Sequence, residues 1–344
     1  MFYQEFSLAA QTAYAGLDGA ARQWDLNRGV SDVPGGFAKK TVAGREYWYH
    51  QMKDANGKVR QTYVGPDDDT TRSVVASHGD PQKLLAHAHL VRLAKSAIAL
   101  GCADIPTKHA RVIERLANAG LFSAGGILVG THAFLAYQNI FGVRWESGAA
   151  TLDLDFAHAG RNLSLALPCN LKVDTPEAID SLQMGFIPNA AKTSYRKADE
   201  PDFDLDFLTS RSRKGDAHIY IKDLNLTLQP LRFMELSLED PMRATLLARN
   251  GPIVVNLPRP ERYALHKMMV AGERPQAQRV KAKKDMLQAA ALLAYLLDND
   301  LDAVRQQWAA IHARGAAWRK SLTAGALALE KAFAEIPLQS SMQG

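Results

Sequence analysis

Cysteine is scarce in this chain of 344 residues, which contains only Cys102 and Cys169. Two cysteines exclude a disulfide framework and a four-cysteine zinc site. A composition so poor in cysteine is typical of a reducing compartment, and we therefore expect a cytoplasmic protein.

Long hydrophobic runs are also missing from the sequence. The longest apolar helical candidate, residues 288–297, is far shorter than the roughly 20 residues that a membrane-spanning helix needs. Glu5 stands where a secretory signal would carry basic residues, and no long apolar segment follows it. We expect neither export nor a membrane partner.

Neither sign of charge is in large excess, with 41 Lys and Arg against 36 Asp and Glu, but basic residues are concentrated in one segment. Residues 259–284 contain eight Lys or Arg against Glu261 and Glu273. Such a cluster suits a polyanion, either nucleotide phosphates or a nucleic-acid backbone. A solvated helix surface has the same composition, and the sequence leaves both interpretations open.

Hydrophobic spacing divides the chain into three parts and a tail. Helical spacing, with an alternating hairpin at about 44–65, predicts an N-terminal helical lobe over 1–120. Short strand-like runs, including 162–168 and 232–238, predict a mixed sheet over 121–258 with a helix after its first strand. Helical spacing returns over 259–336, and a loose tail is expected over 337–344. The predicted fold class is α+β, with a helical bundle following the sheet.

The N-terminal part carries two features with open interpretations. A pair of helical patterns at 80–101 and 106–120 either forms a helix-turn-helix or is an ordinary helix pair. Aromatic and basic side chains interleaved in the hairpin either bind single-stranded nucleic acid or are simply its packed and solvated faces. These hairpin residues are Tyr47, Trp48, Tyr49 and Tyr63 with Lys53, Lys58 and Arg60.

Three segments of the predicted sheet carry candidate chemistry, and the first is a strand that ends at Gly130. Thr131 follows as a candidate cap for the next helix, whose unpaired backbone N–H groups would face a phosphate. By itself this junction is equally typical of an ordinary capped turn.

The second segment is residues 151–156, in which Asp153 and Asp155 alternate with apolar residues. On a strand, this spacing places both carboxylates on one face, about 7 Å apart. Two like charges at this distance repel by about 2 kcal/mol at an effective dielectric constant of 20. The pair therefore suits a hard divalent cation, although a solvated acidic strand face is the ordinary alternative.

The third segment contains Asp202, Asp204 and Asp206, again alternating with apolar residues. If this strand neighbours the second segment, one more carboxylate joins the pair. One or two Mg²⁺ ions would then neutralise the cluster and bind a triphosphate. The spacing does not choose among the three residues.

Together these segments resemble the DNA polymerase β-like nucleotidyltransferase superfamily, in its bacterial branch of nucleotidyltransferase-fold proteins related to abortive-infection toxins. The superfamily signature is a helix-initiating Gly-Ser/Thr, then Asp-x-Asp on one strand, then a third Asp on another. The sequence contains all of these parts in order, and the resemblance implies the polymerase β-like mixed sheet. The matching segments are VGTHAFLAYQNIFGVRW, TLDLDFA, DLDFLT, PRPERYALHKMM and KAKKDMLQA.

The resemblance also implies roles for individual residues. Gly130 and Thr131 would contact the β and γ phosphates, and Asp153 and Asp155 would bind the metal ions. Asp206 would be the third carboxylate, binding a metal and accepting the proton of the acceptor hydroxyl.

Basic residues complete the site that the resemblance implies. Lys267 and Lys284 would contact the triphosphate. Lys284 is followed by Asp285, a pair similar to the Lys-Asp of the related toxins. Arg144 would take the place of an arginine that commonly precedes the Asp-x-Asp in relatives.

The predicted activity is transfer of a nucleoside monophosphate from an NTP such as ATP to an acceptor hydroxyl, with Mg²⁺ or Mn²⁺ and release of pyrophosphate. The basic segment and the aromatic hairpin favour an RNA 3′ end as acceptor, while a protein or small-molecule hydroxyl remains open. One alternative is an inactive nucleotidyltransferase-fold regulator that binds nucleic acid. Another is a toxin of a toxin–antitoxin or phage-defence system with the same chemistry.

Overall fold

A computed structural model describes residues 2–54, 56–147, 153–159, 173–211 and 217–342. The N-terminal part is mainly helical and includes a small sheet. Its elements are β1 (Tyr3–Glu5), α1 (Leu8–Leu26), β2 (Gly36–Val42), β3 (Arg45–Lys53), β4 (Val59–Pro66), α2 (Asp69–Ala76), α3 (Pro81–Ala99) and α4 (Thr107–Asn118).

The predicted hairpin is confirmed as β3 and β4, but it belongs to a three-stranded antiparallel sheet in the order β2-β3-β4. The sequence analysis missed β2, whose two lysines and small residues weaken the alternation that identifies a strand. The helix α2 was also not predicted. Its N-cap is Asp68, whose side chain accepts from Thr71 N. The helix beginning at Pro81 is confirmed, with the Asp80 side chain accepting from Gln82 N.

The central part is a mixed sheet, as predicted. Its main path is β11-β12-β10-β7-β5, with β9 pairing with β10 and β8 with β9; β13 and β14 form a separate antiparallel pair. The elements are β5 (Ile127–Val129), α5 (Gly130–Phe141), β6 (Val143–Trp145), β7 (Leu154–Ala157), α6 (Thr175–Asp180), β8 (Phe186–Pro188), β9 (Ser194–Lys197), β10 (Glu200–Ser210), β11 (Ile219–Ile221), β12 (Leu226–Leu231), α7 (Glu235–Leu238), β13 (Met242–Ala248) and β14 (Gly251–Leu257).

The strand predicted at 232–238 is wrong. This segment turns at Phe233, whose φ is +60°, and then forms the short helix α7. Leu236 and Ser237 are buried, so the apolar alternation reflects a packed turn instead of a strand. The strand predicted at 162–168 lies outside the described residues.

The C-terminal part is helical, as predicted, but its last segment differs from the expected loose tail. Residues 338–341 form a short helix, and the Leu338 side chain is fully buried. Gln339 N donates to a carboxylate oxygen of Glu330 at 2.7 Å, which holds this helix against its neighbour. The elements are α8 (Pro260–Glu273), α9 (Arg279–Asn299), α10 (Leu301–Ala313), α11 (Ala316–Ala332) and α12 (Leu338–Ser341).

One large apolar core connects the parts. It joins the sheet and α5 to α8–α11, and α4 contributes Val112, Ile113 and Leu116 to it. A second core packs α1 and α3 against Leu247 and Val254 of the β13–β14 pair. Among the described residues, no helix is both long and apolar enough to span a bilayer. The structure is a mixed α+β fold, the class that the sequence predicted.

Candidate active site

One cavity of about 510 Å³ lies where β5, β7 and β10 meet the C-terminal helices α8 and α9. The structure brings seven of the predicted site residues to its lining, although they are spread over 155 positions of the chain. They are Gly130, Thr131, Asp153, Asp155, Asp206, Lys267 and Lys284.

Gly130 starts α5 at the end of β5, directly beside Asp155. In the sheet, Val129 is the register partner of Asp155, so the chain passes the carboxylate as it enters the helix. The φ of Gly130 is +61°, and a Cβ at this position would lie 1.8 Å from Asp155 Oδ2. Both the backbone conformation and the contact therefore require glycine.

The prediction that Thr131 caps the next helix is wrong. The N-cap of α5 is Val129, which has no side-chain acceptor for the N–H groups of the first turn. These groups are therefore available to an anion in the cavity. Thr131 lies inside the first turn, and its Oγ1 accepts from Gln288 Nε2 at 3.1 Å.

A buried tyrosine connects this helix start to the C-terminal helices. The hydroxyl oxygen of Tyr263 lies 2.8 Å from Gly130 O and 2.9 Å from Gln288 Oε1. Tyr263 and Gln288 are almost completely buried, so this network fixes α8 and α9 against the start of α5. The network therefore holds the Gly130-Thr131 turn in place with neutral side chains.

Asp155 and Asp206 lie side by side on the neighbouring parallel strands β7 and β10, as register partners. Neighbouring strands are about 4.8 Å apart, so the two carboxylates are held close together. Burial raises the pKa of Asp155 to about 6; the charge of Lys267 opposes this rise, and Asp206 adds to it. Burial also raises the pKa of Asp206. Asp153 lies directly before β7 and also lines the cavity.

The three acidic candidates of β10 are distinguished by their surroundings. Asp206 lines the cavity. Asp204 forms a bidentate pair with Arg196 of β9, with both N···O distances at 2.9 Å. Asp202 is exposed and does not line the cavity. The structure thus brings Asp206 to Asp153 and Asp155. The spacing of the three aspartates in the sequence had not distinguished among them.

The opposite wall of the cavity is basic. Lys267 Nζ lies 2.6 Å from Asp285 Oδ1, and Arg274 Nε donates to Asp285 Oδ2 at 2.7 Å. Burial alone would raise the pKa of Asp285, but Lys267 and Arg274 hold it below its usual range. Burial lowers the pKa of the neighbouring Lys284, and the charge of Lys267 lowers it further. Asp285 thus faces the basic residues and holds two of them in place.

Arg144, the expected substitute for a nucleotide-binding arginine, is not in this cavity. It lies on β6, and its Nη2 donates to Gly101 O at 3.1 Å. Arg274 was predicted only as one member of the basic segment 259–284, and Tyr263 only as part of a matching segment; neither was given a role in the site. Ser194 was also missed; it becomes visible only through its register pairing with Asp206.

The residues present fit a divalent cation that arrives with a nucleotide. The neighbouring carboxylates of Asp155 and Asp206 are hard oxygen ligands of the kind that Mg²⁺ and Mn²⁺ prefer, and a cation would offset the desolvation that raises both pKa values. In the described part of the chain, no three acidic, His or Cys side chains form a ready-made metal site. Magnesium commonly binds through one or two carboxylates plus substrate phosphates, so the cavity would require no protein cage.

A family model described as nucleotidyltransferase matches residues 107–312, which include the seven predicted site residues that line the cavity. Since this match covers more than half of the chain, the protein belongs to this nucleotidyltransferase family. Membership implies a transferase with an NTP substrate, and such enzymes generally use divalent metal ions. No curated protein and no solved structure matches the chain.

Proposed function

We propose that the protein is a metal-dependent enzyme that transfers a nucleoside monophosphate from an NTP to an acceptor hydroxyl and releases pyrophosphate. One observation carries the proposal: Asp155 and Asp206 are register partners beside the Gly130-Thr131 helix start, opposite a basic wall. Carboxylates on one side and cations on the other suit the metal-bound triphosphate of an NTP.

The helix start and the basic wall would bind the phosphates. First-turn N–H groups of α5, beginning at Gly130 and Thr131, donate to the β and γ phosphate oxygens. Lys267 and Lys284 approach from α8 and α9 and offset the charge that develops on the leaving pyrophosphate. Asp285 holds Lys267 in this position. These residues favour in-line attack by fixing the α-phosphorus relative to the acceptor.

The carboxylates would serve the reacting centre. Asp153, Asp155 and Asp206 would hold Mg²⁺ or Mn²⁺, which stabilises the charges on the attacking and leaving oxygens. Asp206 accepts the proton of the acceptor hydroxyl at its carboxylate, since it lies beside Asp155 at the reacting centre. The complete set of three carboxylates favours an active enzyme over the inactive nucleic-acid-binding regulator.

The acceptor that we favour is an RNA 3′ end in the cytoplasm. The cavity lining carries five basic residues, Arg232, Arg274, Lys267, Lys281 and Lys284, against five carboxylates. Divalent cations held by Asp153, Asp155 and Asp206 would turn this balance into an excess of positive charge, which suits a polyanionic acceptor. Protein and small-molecule hydroxyls are the competing acceptors.

A toxin would use the same residues for the same reaction. Arrest of growth on expression of wild type, but not of Asp155→Asn, would assign the protein to that class.

The test incubates the protein with each α-³²P-labelled NTP, Mg²⁺ or Mn²⁺, and total cell RNA plus soluble protein. We expect labelled RNA with wild type and no label with Asp153→Asn or Asp155→Asn. Asp202→Asn is the matched control, because this carboxylate lies on β10 outside the cavity, and it should retain full activity. Undiminished transfer by Asp155→Asn would refute the proposal. Label on a protein band would replace RNA as acceptor while leaving the chemistry intact.

A further inference from the structure

The three-stranded sheet β2-β3-β4 has one face that packs on the protein and one that does not. Register pairing and ring contacts separate the two faces. Phe37 and His50 contact each other on the inner face, with centroids 5.4 Å apart, and His50 is buried. Tyr63 contacts both Tyr47 and Tyr49 on the other face, which we call the open face.

The tyrosines of the open face form a continuous aromatic surface. Tyr49 and Tyr63 are register partners with ring centroids 5.7 Å apart, and Tyr47 lies 6.0 Å from Tyr63. Tyr63 is 41% exposed, and none of the three belongs to a core cluster of the described residues. Packing of the interior therefore does not account for them.

The charges on the open face all have one sign. Strand alternation and register place Lys40, Arg45 and Lys53 on this face, and all three are exposed. Lys40 Nζ lies 5.1 Å from the ring centroid of Tyr49. The strands Gly36–Val42, Arg45–Lys53 and Val59–Pro66 are fully described, and their one carboxylate, Glu46, alternates to the inner face.

We propose that this open face binds single-stranded RNA, with bases stacked on Tyr47, Tyr49 and Tyr63 and phosphates paired with Lys40, Arg45 and Lys53. Aromatic rings stack bases of any sequence, and flanking cations follow the backbone. Gln51 and Gln61 are register partners on the same face. The Gln61 amide oxygen accepts from Lys40, and the amide N–H groups of both side chains can pair with 2′-hydroxyls. This feature commits the proposal to RNA over DNA.

The hairpin contacts a segment of the chain that leads to the catalytic cavity. Asn56 Nδ2 donates to Gln183 Oε1 at 2.7 Å, and Arg60 bonds Asp180 at 2.6 Å. Asn189, which lines the cavity, is six residues beyond Gln183, so at most about 20 Å of chain separates them. The identity of the bound strand as the acceptor rests on the proposed function, whereas the binding itself does not.

The test measures fluorescence anisotropy of a labelled 12-nucleotide RNA with the full-length protein, without NTP or divalent metal. We expect Tyr49→Ala and Tyr63→Ala each to weaken binding about tenfold or more, as for loss of one stacked base. Tyr63→Phe keeps the ring and should retain affinity. Tyr220→Ala is the matched control: this tyrosine lies on β11, is 58% exposed, and its loss should leave binding like that of wild type.

Exposed lysines give a readout that does not depend on folding of the tyrosine variants. We expect Lys40→Gln and Lys53→Gln each to lower the slope of log affinity against log salt by about 0.7, the value for one single-strand phosphate contact. Because binding is measured without NTP or divalent metal, a failure of the proposed nucleotidyl transfer would be distinguishable from a failure of RNA binding. Unchanged affinity in both alanine variants would overturn the proposal, and equal affinity for DNA of the same sequence would overturn the assignment to RNA.

Discussion

At the residue scale, the site depends on a close approach that only glycine permits. Gly130 combines a φ of +61° with a hypothetical Cβ that would lie 1.8 Å from Asp155 Oδ2. Gly130→Ala should therefore displace the Asp155 carboxylate and lower kcat/KM for transfer at least tenfold. The backbone strain alone should cost about 1 kcal/mol of unfolding free energy.

A matched variant separates these two effects. Gly185 has a φ of +76°, but nothing lies within 4 Å of its hypothetical Cβ. Gly185→Ala should lose a similar amount of stability in urea unfolding while keeping full transfer activity. If both variants were equally active, the contact with Asp155 would have no part in the reaction.

The second residue-scale prediction concerns Asp285, which is 2% exposed at its side chain and paired with Lys267 and Arg274. Removing one partner of a buried charge network costs about 3–5 kcal/mol. Asp285→Asn should lower the unfolding free energy by this order and raise the KM for NTP, because Lys267 loses its anchor. Urea unfolding and initial-rate kinetics measure the two effects.

The pH dependence of this effect has a definite sign. Because the folded-state pKa of Asp285 is lowered, its stabilisation is present above the unfolded-state pKa of about 4 and is lost as the pH falls through the folded-state value. The stability difference between wild type and Asp285→Asn should be constant from pH 5 to 8 and shrink in stronger acid. A difference that grew on acidification would contradict the pairing.

At the element scale, the sequence predicts best where the pattern is local. The hairpin turning at Asn56-Gly57 and the helix beginning at Pro81 have turn and cap residues that specify them without tertiary contacts. The segment 232–238 failed because its alternating apolar residues pack around a turn with positive φ at Phe233. Whether such apolar residues are buried in a strand or around a turn depends on the elements that pack against the segment. The sequence of the segment alone does not specify those elements.

The last helix allows a direct test of an element that the sequence analysis expected to be loose. Leu338 is fully buried, so Leu338→Ala should cost about 2–5 kcal/mol of unfolding free energy. Leu327→Ala is the matched control: this side chain is 56% exposed, and its loss should change stability by less than about 0.5 kcal/mol. Equal stabilities in thermal and urea unfolding would mean that the last helix is not anchored in solution.

At the scale of the whole molecule, the site is assembled from parts far apart in the chain. Motif order was enough to predict which carboxylates and lysines meet, because Gly130, Asp155 and Lys267 stand in segments with recognisable patterns. Arg274 and Tyr263 could not be predicted, since their place in the cavity follows from how α8 and α9 pack on α5. The location expected for Arg144 was wrong for the same reason, because the sequence does not show how the elements pack.

This assembly makes nucleotide binding a global stabiliser. A ligand that binds only the folded protein adds about 2.7 kcal/mol at a hundredfold excess over its Kd, which corresponds to a shift in Tm of roughly 2–4 °C for a chain of this size. Mg²⁺ with a non-hydrolysable NTP should therefore raise the Tm of wild type, and EDTA should abolish both the shift and nucleotidyl transfer. Asp155→Asn should show no shift, while Asp202→Asn, outside the cavity, should behave like wild type. A full shift in Asp155→Asn, measured by scanning calorimetry, would place the nucleotide elsewhere than between the carboxylates and the basic wall.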